Sequence, residues 1–308
     1  MRSLLITLFF ISSIGFQQAP PKPVEGTFLE PADSFNKGRA IGTSIFYGSG
    51  WIGSTLALQY VWYKDFEKSS FQFFDDSREW MQMDKMGHAY SGWTFSRLAG
   101  DLYEWSGVDH KKSAIIGGSL GFAYLSTFEF LDAYNEAWGF SWSDLGANFL
   151  GSAIYTSQEY FWNDQRIKLK FSFSNSGLSE YRPNVLGNSF STRLLKDYNG
   201  QTYWLSFNPW VIANKESKIP EWITIAAGYS IHNHLIGDGS TYVYDDGTST
   251  LSFTPFRQYY LSLDVDFEKI PTESRGLKLL FRALNYVKVP FPALEFSQNG
   301  VGFKPFYF

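Results

Sequence analysis

The chain has 308 residues, a formal net charge of −4 and no cysteine. A sequence pI near 5.6 argues against a general nucleic-acid-binding protein, which would carry a basic surface. The lack of cysteine excludes disulfides, thiolate metal sites and a lipobox cysteine. Aromatic residues make up 19% of the chain, and such side chains collect at membrane interfaces. A mean hydropathy of −0.20 argues against a polytopic helical membrane protein but allows a β-barrel with a polar lumen.

The N-terminus has the three-part layout of a secretory signal peptide. Arg2 precedes an apolar run from Leu4 to Ile14, and small residues follow. A run of about 11 residues is too short for the roughly 20 that a membrane-spanning helix needs. We therefore predict a signal peptide at residues 1–18 and a Pro-rich linker at 19–36. The protein is expected to be exported to the periplasm or outer membrane of a Gram-negative bacterium.

Residues 37–165 are predicted to form a hydrophobic helical domain of about four helices. Residues 40–63 carry no charge and are long enough to span a membrane, but several glycines dilute their hydrophobicity, so a buried or interfacial helix fits equally well. The other three helices are predicted at about Ser77–Trp105, Lys111–Tyr134, and Ser141 or Ser143 to Trp162.

Residues 166–308 change to a period of two, which predicts an antiparallel β domain of six to eight strands. Leu261, Leu263 and Val265 lie on one face of a strand whose other face is mostly polar. We expect this apolar face to be buried, against lipid or against the helical domain. Similar alternation predicts strands at 167–173 and 277–283. The expected fold class is α+β, with either an antiparallel sheet or a small β-barrel following the helices.

Each of the last three helices carries polar residues on one face. Asp84 and His88 are four residues apart, as are Asp144 and Asn148, and such spacing places side chains on one helical face. Because burying an unpaired carboxylate is costly, the polar faces should meet one another, water, a metal or a ligand. The candidate residues of this polar pocket are Asp84, Lys85, His88, Glu129, Asp132, Glu136, Asp144 and Asn148.

Three interpretations of the polar pocket remain open. It can be a satisfied network that fixes helix register, a binding site, or a site of acid/base or metal chemistry. A divalent metal is one option for a cofactor, with Asp84, His88, Glu129 and Asp132 as candidate ligands. No catalytic residue is assigned.

The same residues carry a resemblance to a known family. The motifs are Asp84-Lys85-x-x-His88, Glu129-x-x-Asp132 and Ser141-x-x-Asp144-x-x-x-Asn148-x-x-Gly151. This pattern, over about residues 80–163, resembles the YfiM-like family of uncharacterised envelope proteins, which are predicted periplasmic lipoproteins. It is also distantly similar to the VanZ-like membrane proteins. The resemblance implies an envelope location and no established reaction.

Two functions are weighed for the chain. The leading hypothesis is a non-catalytic, membrane-associated envelope protein whose polar pocket is structural or binds a lipid-like or cell-wall ligand. The alternative is a metal- or His-dependent hydrolase that acts on envelope lipid or peptidoglycan precursors. The expected partner is membrane lipid or another envelope component, not nucleic acid.

The signal-peptide hypothesis predicts where the mature protein begins. N-terminal sequencing of the mature chain should give a first residue between about positions 16 and 20, as expected for cleavage after the small-residue stretch. Recovery of folded, mature protein that still begins with Met1 would contradict this.

Overall fold

The computed structural model describes residues 28–60 and 66–307. The predicted signal peptide and the first part of the linker lie outside these ranges. The predicted α+β class is confirmed: helices in the N-terminal half are followed by an antiparallel sheet in the C-terminal part, and we use the names helical domain and β domain for these two parts. The six longest helices are α1 Lys37–Leu58, α2 Met83–Trp105, α3 His110–Asp132, α4 Trp142–Trp162, α5 Phe190–Lys196 and α6 Arg275–Leu284.

Side-chain caps fix the starts of the long helices. Asn36 accepts a hydrogen bond from Arg39 N, Asp109 from Lys112 N, and Ser141 from Asp144 N; such caps satisfy amides that have no partner inside the helix. The predicted start of α2 at Ser77 is too early. Residues Trp80, Met81 and Gln82 instead have φ of 48°, 49° and 66°, so the chain makes a left-handed turn before α2 begins.

Helices α2, α3 and α4 pack closely because glycines lie where their backbones meet. A Cβ added at Gly151 would lie 1.9 Å from the carbonyl oxygen of Ala89 in α2. A Cβ at Gly117 of α3 would lie 2.5 Å from the carbonyl oxygen of Ser96, also in α2. Small residues at such crossings let helix backbones approach. Any side chain at these positions would force the helices apart.

Helix α1 lies on the outside of this bundle. Thr43 Oγ1 donates to Leu102 O at 3.3 Å, while Ile45 and Ile52 are exposed. Among the described residues, one helix is long and apolar enough to cross a membrane by length and composition, and that helix is α3. A core helix can pass the same test, and the glycine contacts pack α3 against both α2 and α4.

The β domain contains one main sheet of six antiparallel strands in the order β1-β2-β3-β6-β7-β8, and a separate hairpin of β4 and β5. Within the described residues, β1 and β8 form its two edges, so the sheet is open. Of the two predicted forms, a sheet or a closed barrel, the structure has the sheet. The strands are β1 Ile167–Phe173, β2 Gln201–Phe207, β3 Ile223–His232, β4 Tyr242–Asp245, β5 Thr250–Phe253, β6 Phe256–Val265, β7 Phe291–Ser297 and β8 Gly300–Tyr307.

The main sheet curls around its polar face. Tyr307 of β8 reaches across to Trp204 of β2, with ring centroids 6.0 Å apart, and stacks on Tyr260 at 4.2 Å. Lys170 Nζ and Asp264 Oδ2 form an ion pair of 2.8 Å inside the curl, with both side chains fully buried. The concave side of the sheet is therefore buried and is lined by polar and aromatic side chains.

Of the two coverings expected for the apolar face, lipid or the helical domain, the helical domain covers only part of the sheet. Leu261 and Leu263 are 45% and 52% exposed, whereas Leu169 in the edge strand β1 is buried beside Trp93 and Tyr155 of the helical domain. Alternation shows that a strand has two unlike faces, but not which of them faces inward. Here the polar faces are mutually satisfied, so the apolar face is left outside.

The segment predicted as a strand at 277–283 is the helix α6. The alternating run is Leu277, Leu279, Phe281 and Ala283, but Leu277, Leu280 and Leu284 have helical spacing. Ser274 caps the helix by accepting a hydrogen bond from Leu277 N. Short apolar runs fit either period. The strand prediction for 277–283 was therefore wrong, and that for 167–173 is confirmed as β1.

The glycine contacts predict opposite effects for two substitutions in α4. Gly151→Ala should lower the free energy of unfolding by about 1–3 kcal/mol, because its Cβ would collide with α2. Gly146 has no atom within 4 Å of an added Cβ, so Gly146→Ala should stabilise the helix by up to about 1 kcal/mol. Denaturant unfolding of both variants measures this, and equal effects would contradict the close packing.

Candidate functional site

Polar residues of α2, α3 and α4 meet in one buried group, together with an aspartate from the segment before α2. We call this group the ion cluster. Its members are Asp76, Asp84, Lys85, His88, Glu129, Asp144 and Asn148.

Two of the predicted pocket residues lie at or beyond the edge of this cluster. Asp132 is the last residue of α3, one turn beyond Glu129, and its charge contributes to the raised pKa of the Glu129 carboxyl. Glu136 is exposed and lies after the end of α3, where its backbone N–H donates to the Glu67 carbonyl oxygen at 3.1 Å. The structure does not bring Glu136 into the cluster, because α3 ends before its helical stripe reaches that residue.

Lys85 lies at the centre of the ion cluster. Its Nζ atom is 2.7 Å from Asp76 Oδ2, 3.1 Å from Asp84 Oδ2 and 2.6 Å from Asp144 Oδ1, and its side chain is only 9% exposed. These carboxylates come from the segment before α2, from α2 and from α4. One ammonium group therefore joins three parts of the chain.

His88 lies one helical turn after Asp84 and binds the remaining members. Its Nδ1 is 3.0 Å from Asn148 Oδ1 and 3.5 Å from Glu129 Oε1. Since an amide oxygen only accepts, this contact places a proton on Nδ1. Burial would lower the pKa of His88, but the charges of Asp84, Asp144 and Glu129 raise it to about 9.

The carboxyl groups of the ion cluster differ in pKa. Burial raises the pKa of Asp144 to about 8 and that of Glu129 to about 7. Burial also opposes ionisation of Asp76, but hydrogen bonds from Asp144, Lys85 and Ser141 lower its pKa to about 2. The pKa of Asp84 is likewise lowered, against the effect of burial, by the charges of His88 and Lys85.

These shifts give the ion cluster a balanced charge near neutral pH. Two cations, Lys85 and His88, face two ionised carboxylates, Asp76 and Asp84. Glu129 and Asp144 retain protons over much of this range, since their pKa values are near or above neutrality. Such pairing offsets the cost of burying charge, and the two raised carboxyl pKa values are also of the kind used for proton transfer.

Three potential metal ligands lie within the ion cluster. One ligand atom each from Asp84, His88 and Asp144 lies within 4.8 Å of the others, and oxygen with imidazole nitrogen suits several divalent metals. Lys85 Nζ, however, already contacts the carboxylates of Asp84 and Asp144. A divalent ion bound there would compete with this ammonium group for the same oxygens.

Two contributors were not found from the sequence. Asp76 accepts hydrogen bonds from Ser141 Oγ at 2.6 Å and Ser143 Oγ at 2.8 Å, and Tyr198 of the β domain donates to Asp84 Oδ1 at 2.6 Å. Neither residue belongs to a helical stripe, so periodicity gave no signal for them.

The left-handed turn at Trp80–Gln82 separates Asp76 from α2. Contacts from the β domain hold it: Trp80 N donates to Gly237 O at 2.8 Å, and Tyr229 OH donates to Met81 O. Left-handed conformations cost non-glycine residues roughly 1–2 kcal/mol each. The turn reverses the chain so that Asp76 reaches Lys85.

The fold and the ion cluster define the protein as an α+β protein with a charge-balanced centre in three packed helices. Residues 72–158 match the family described as predicted periplasmic lipoprotein (DUF2279). The matched range contains every member of the ion cluster. This match supports an exported, uncharacterised cell-envelope protein. The comparisons with curated proteins and with solved structures found no match.

The raised pKa of His88 predicts a pH-dependent stability. A histidine whose pKa rises from 6.5 to about 9 on folding contributes stability that is complete below pH 6.5 and lost as pH rises through 9, up to about 3 kcal/mol. The difference in unfolding free energy between the wild type and His88→Asn should therefore shrink from pH 6 to pH 9.5. A difference that is the same at both pH values would contradict the raised pKa.

Proposed function

We propose that the chain is a non-catalytic cell-envelope protein whose ion cluster is a structural centre. The observation that carries the proposal is the contact of Lys85 with three carboxylates from three parts of the chain. The His88 and Asp84 side chains are each 25% exposed, and this opening is where a lipid-like or cell-wall ligand would contact the centre.

Charge balance favours the structural role. Each ionised carboxylate of the ion cluster lies beside one of the two cations, Lys85 or His88. Asn148 bridges His88 and Glu129. Removing one partner of a buried ion pair leaves an uncompensated charge, which costs far more than the pair contributes. A network of this kind therefore makes the packing of α2, α3 and α4 depend on a few side chains.

The hydrolase alternative rests on the same atoms. The grouping of Asp84, His88 and Asp144 would supply metal ligands, and the pKa of Glu129 near 7 would suit a general acid or base. This alternative requires Lys85 to give up two of its three carboxylate contacts. We favour the structural role for that reason.

The narrower likeness to YfiM-like and VanZ-like proteins stays a proposal. It rests on Asp84-Lys85-x-x-His88 and on Asp144-x-x-x-Asn148, and these are the residues that the cluster joins. In this proposal each polar member of the motif has a charged or amide partner in the centre.

Removal of Lys85 tests the structural role. Lys85→Met leaves the ionised carboxylate of Asp76 without its cation, and should lower the free energy of unfolding by about 3–5 kcal/mol. Lys112→Met removes an exposed lysine of α3 and should change it by no more than about 0.5 kcal/mol. Equal small effects of both substitutions would contradict a structural centre.

Metal content of the same purified proteins distinguishes the two functions. The structural proposal expects no stoichiometric divalent metal in the wild type and no gain of stability on adding zinc or manganese. One equivalent of metal that is lost in His88→Ala would instead support the hydrolase.

A further inference from the structure

The convex face of the main sheet is apolar across all six strands. In the register of the sheet, one row of paired residues crosses every strand, and each member is apolar. This aliphatic row is Leu169, Leu205, Ala227, Leu261, Leu294 and Phe303. A shorter row on the Leu263 side continues it with Ile167, Phe207, Ile225 and Leu263.

An aromatic row borders the aliphatic row on its other side. Five of its six members are aromatic, and three of these are tyrosines. The row is Phe171, Tyr203, Tyr229, Tyr259, Phe296 and Val301. The next outward position on β6 is the exposed Arg257, whose Nε donates to Tyr229 OH at 3.0 Å. Along β6, the surface thus changes from aliphatic to aromatic to charged.

Much of the convex face is exposed on the strands that the helical domain does not cover. Leu263, Leu294 and Phe303 are 52%, 41% and 63% exposed, and no residue of the three rows carries a charge. Soluble proteins rarely expose apolar patches larger than a few hundred Å². A continuous uncharged sheet face therefore requires a covering partner.

The opposite face of the same strands is polar and buried. Ser262 and Asp264 alternate with the exposed Leu261 and Leu263 along β6, yet both are almost fully buried. The Ser262 hydroxyl donates to Pro292 O at 3.0 Å. Sheets that face lipid have their polar residues inside and their apolar residues outside. Sheets that face water have the opposite arrangement.

Helix α6 adds further exposed leucines beside the sheet. Arg282 turns inward and forms an ion pair with Asp101 of α2, and Arg275 pairs with Glu30. Leu279 and Leu280 are each 51% exposed. The outer surface of this amphipathic helix therefore combines leucines with cations, since the Arg275 and Arg282 side chains are 47% and 39% exposed and Lys278 is exposed as well.

We propose that the convex face of the main sheet contacts the hydrocarbon of a lipid bilayer. From Ile223 to Tyr229 the apolar surface extends about 20 Å along β3, comparable to the roughly 25 Å apolar band of membrane-embedded sheets. Tyr259, the exposed tyrosine of the aromatic row, then lies at the level where aromatic side chains collect, and Arg257 lies at the headgroups.

Lipid fits this surface better than a protein partner does. Protein interfaces combine an apolar centre with a polar rim and about one hydrogen bond per 100–200 Å². The exposed rows between β3 and β8 offer no charged group, and α6 presents further leucines away from the sheet. A fluid hydrocarbon covers separate apolar surfaces at once, and it needs no hydrogen bonds from them.

The absence of native cysteine allows a direct test with single labels. Leu261→Cys places an environment-sensitive fluorophore in the aliphatic row, Tyr259→Cys places it in the aromatic row, and Ile219→Cys is the matched control. Ile219 is 40% exposed but lies in a charged loop. The full-length variants are reconstituted into phosphatidylcholine vesicles that contain lipid with a nitroxide on its acyl chain.

The proposal expects a graded result. Nitroxide quenching should be several-fold stronger at position 261 than at position 219, with position 259 intermediate, and aqueous iodide should quench in the opposite order. Leu294→Cys, in the same row as Leu261, guards against a local effect of one substitution and should match position 261.

Three outcomes would overturn the proposal. One is failure of the folded protein to associate with the vesicles. Another is equal iodide access at positions 261 and 219 in vesicle-bound protein. The last is shielding of position 261 in lipid-free protein without nitroxide quenching in vesicles, which would show that a second copy or another protein covers the face. None of these outcomes bears on Lys85, so they leave the structural role of the ion cluster to its own tests.

Discussion

The helical domain depends on the way one buried ammonium group is neutralised. Lys85 cannot remain charged and almost fully buried without carboxylates around it, and Asp76, Asp84 and Asp144 must approach from different directions to supply them. That requirement fixes how α2 and α4 are rotated relative to each other and brings the preceding segment over the start of α2. The glycine contacts of α3 then follow, because helices held at this distance leave no space for side chains at their crossings.

The same principle, charge satisfied internally, organises the β domain. Lys170 and Asp264 pair inside the curled sheet, and Lys168 pairs with Asp266 nearby. Because the strands direct their ionic groups toward one another, the apolar positions are on the convex side. Each of the two domains therefore has ion pairs in its interior. Arg97 of α2 connects the domains through an ion pair with Glu268.

The sequence predicted those features that depend on the spacing of residues within one helix or strand. Asp84 with His88, and Asp144 with Asn148, were found because helical spacing places them together, and β1 was found because its residues alternate. Asp76 and Tyr198 were missed because no spacing relates them to the other members of the cluster. Alternation in β6 predicts two unlike faces, but it is the same whichever face the sheet encloses, so it does not show that the polar face lies inside. The strand prediction for 277–283 is wrong because its alternating residues also include leucines with helical spacing.

The left-handed turn at Trp80–Gln82 has a consequence for how the chain acquires its structure. Three strained residues stay in place only while Gly237 and Tyr229 of the β domain hold their backbone, and strained backbone persists where its surroundings over-determine it. Asp76 reaches Lys85 through that turn. The ion cluster is therefore completed by residues of the β domain that are synthesised more than a hundred residues later. The two halves form one cooperative folding unit, and the ion cluster lacks the Asp76 carboxylate until the C-terminal half has folded.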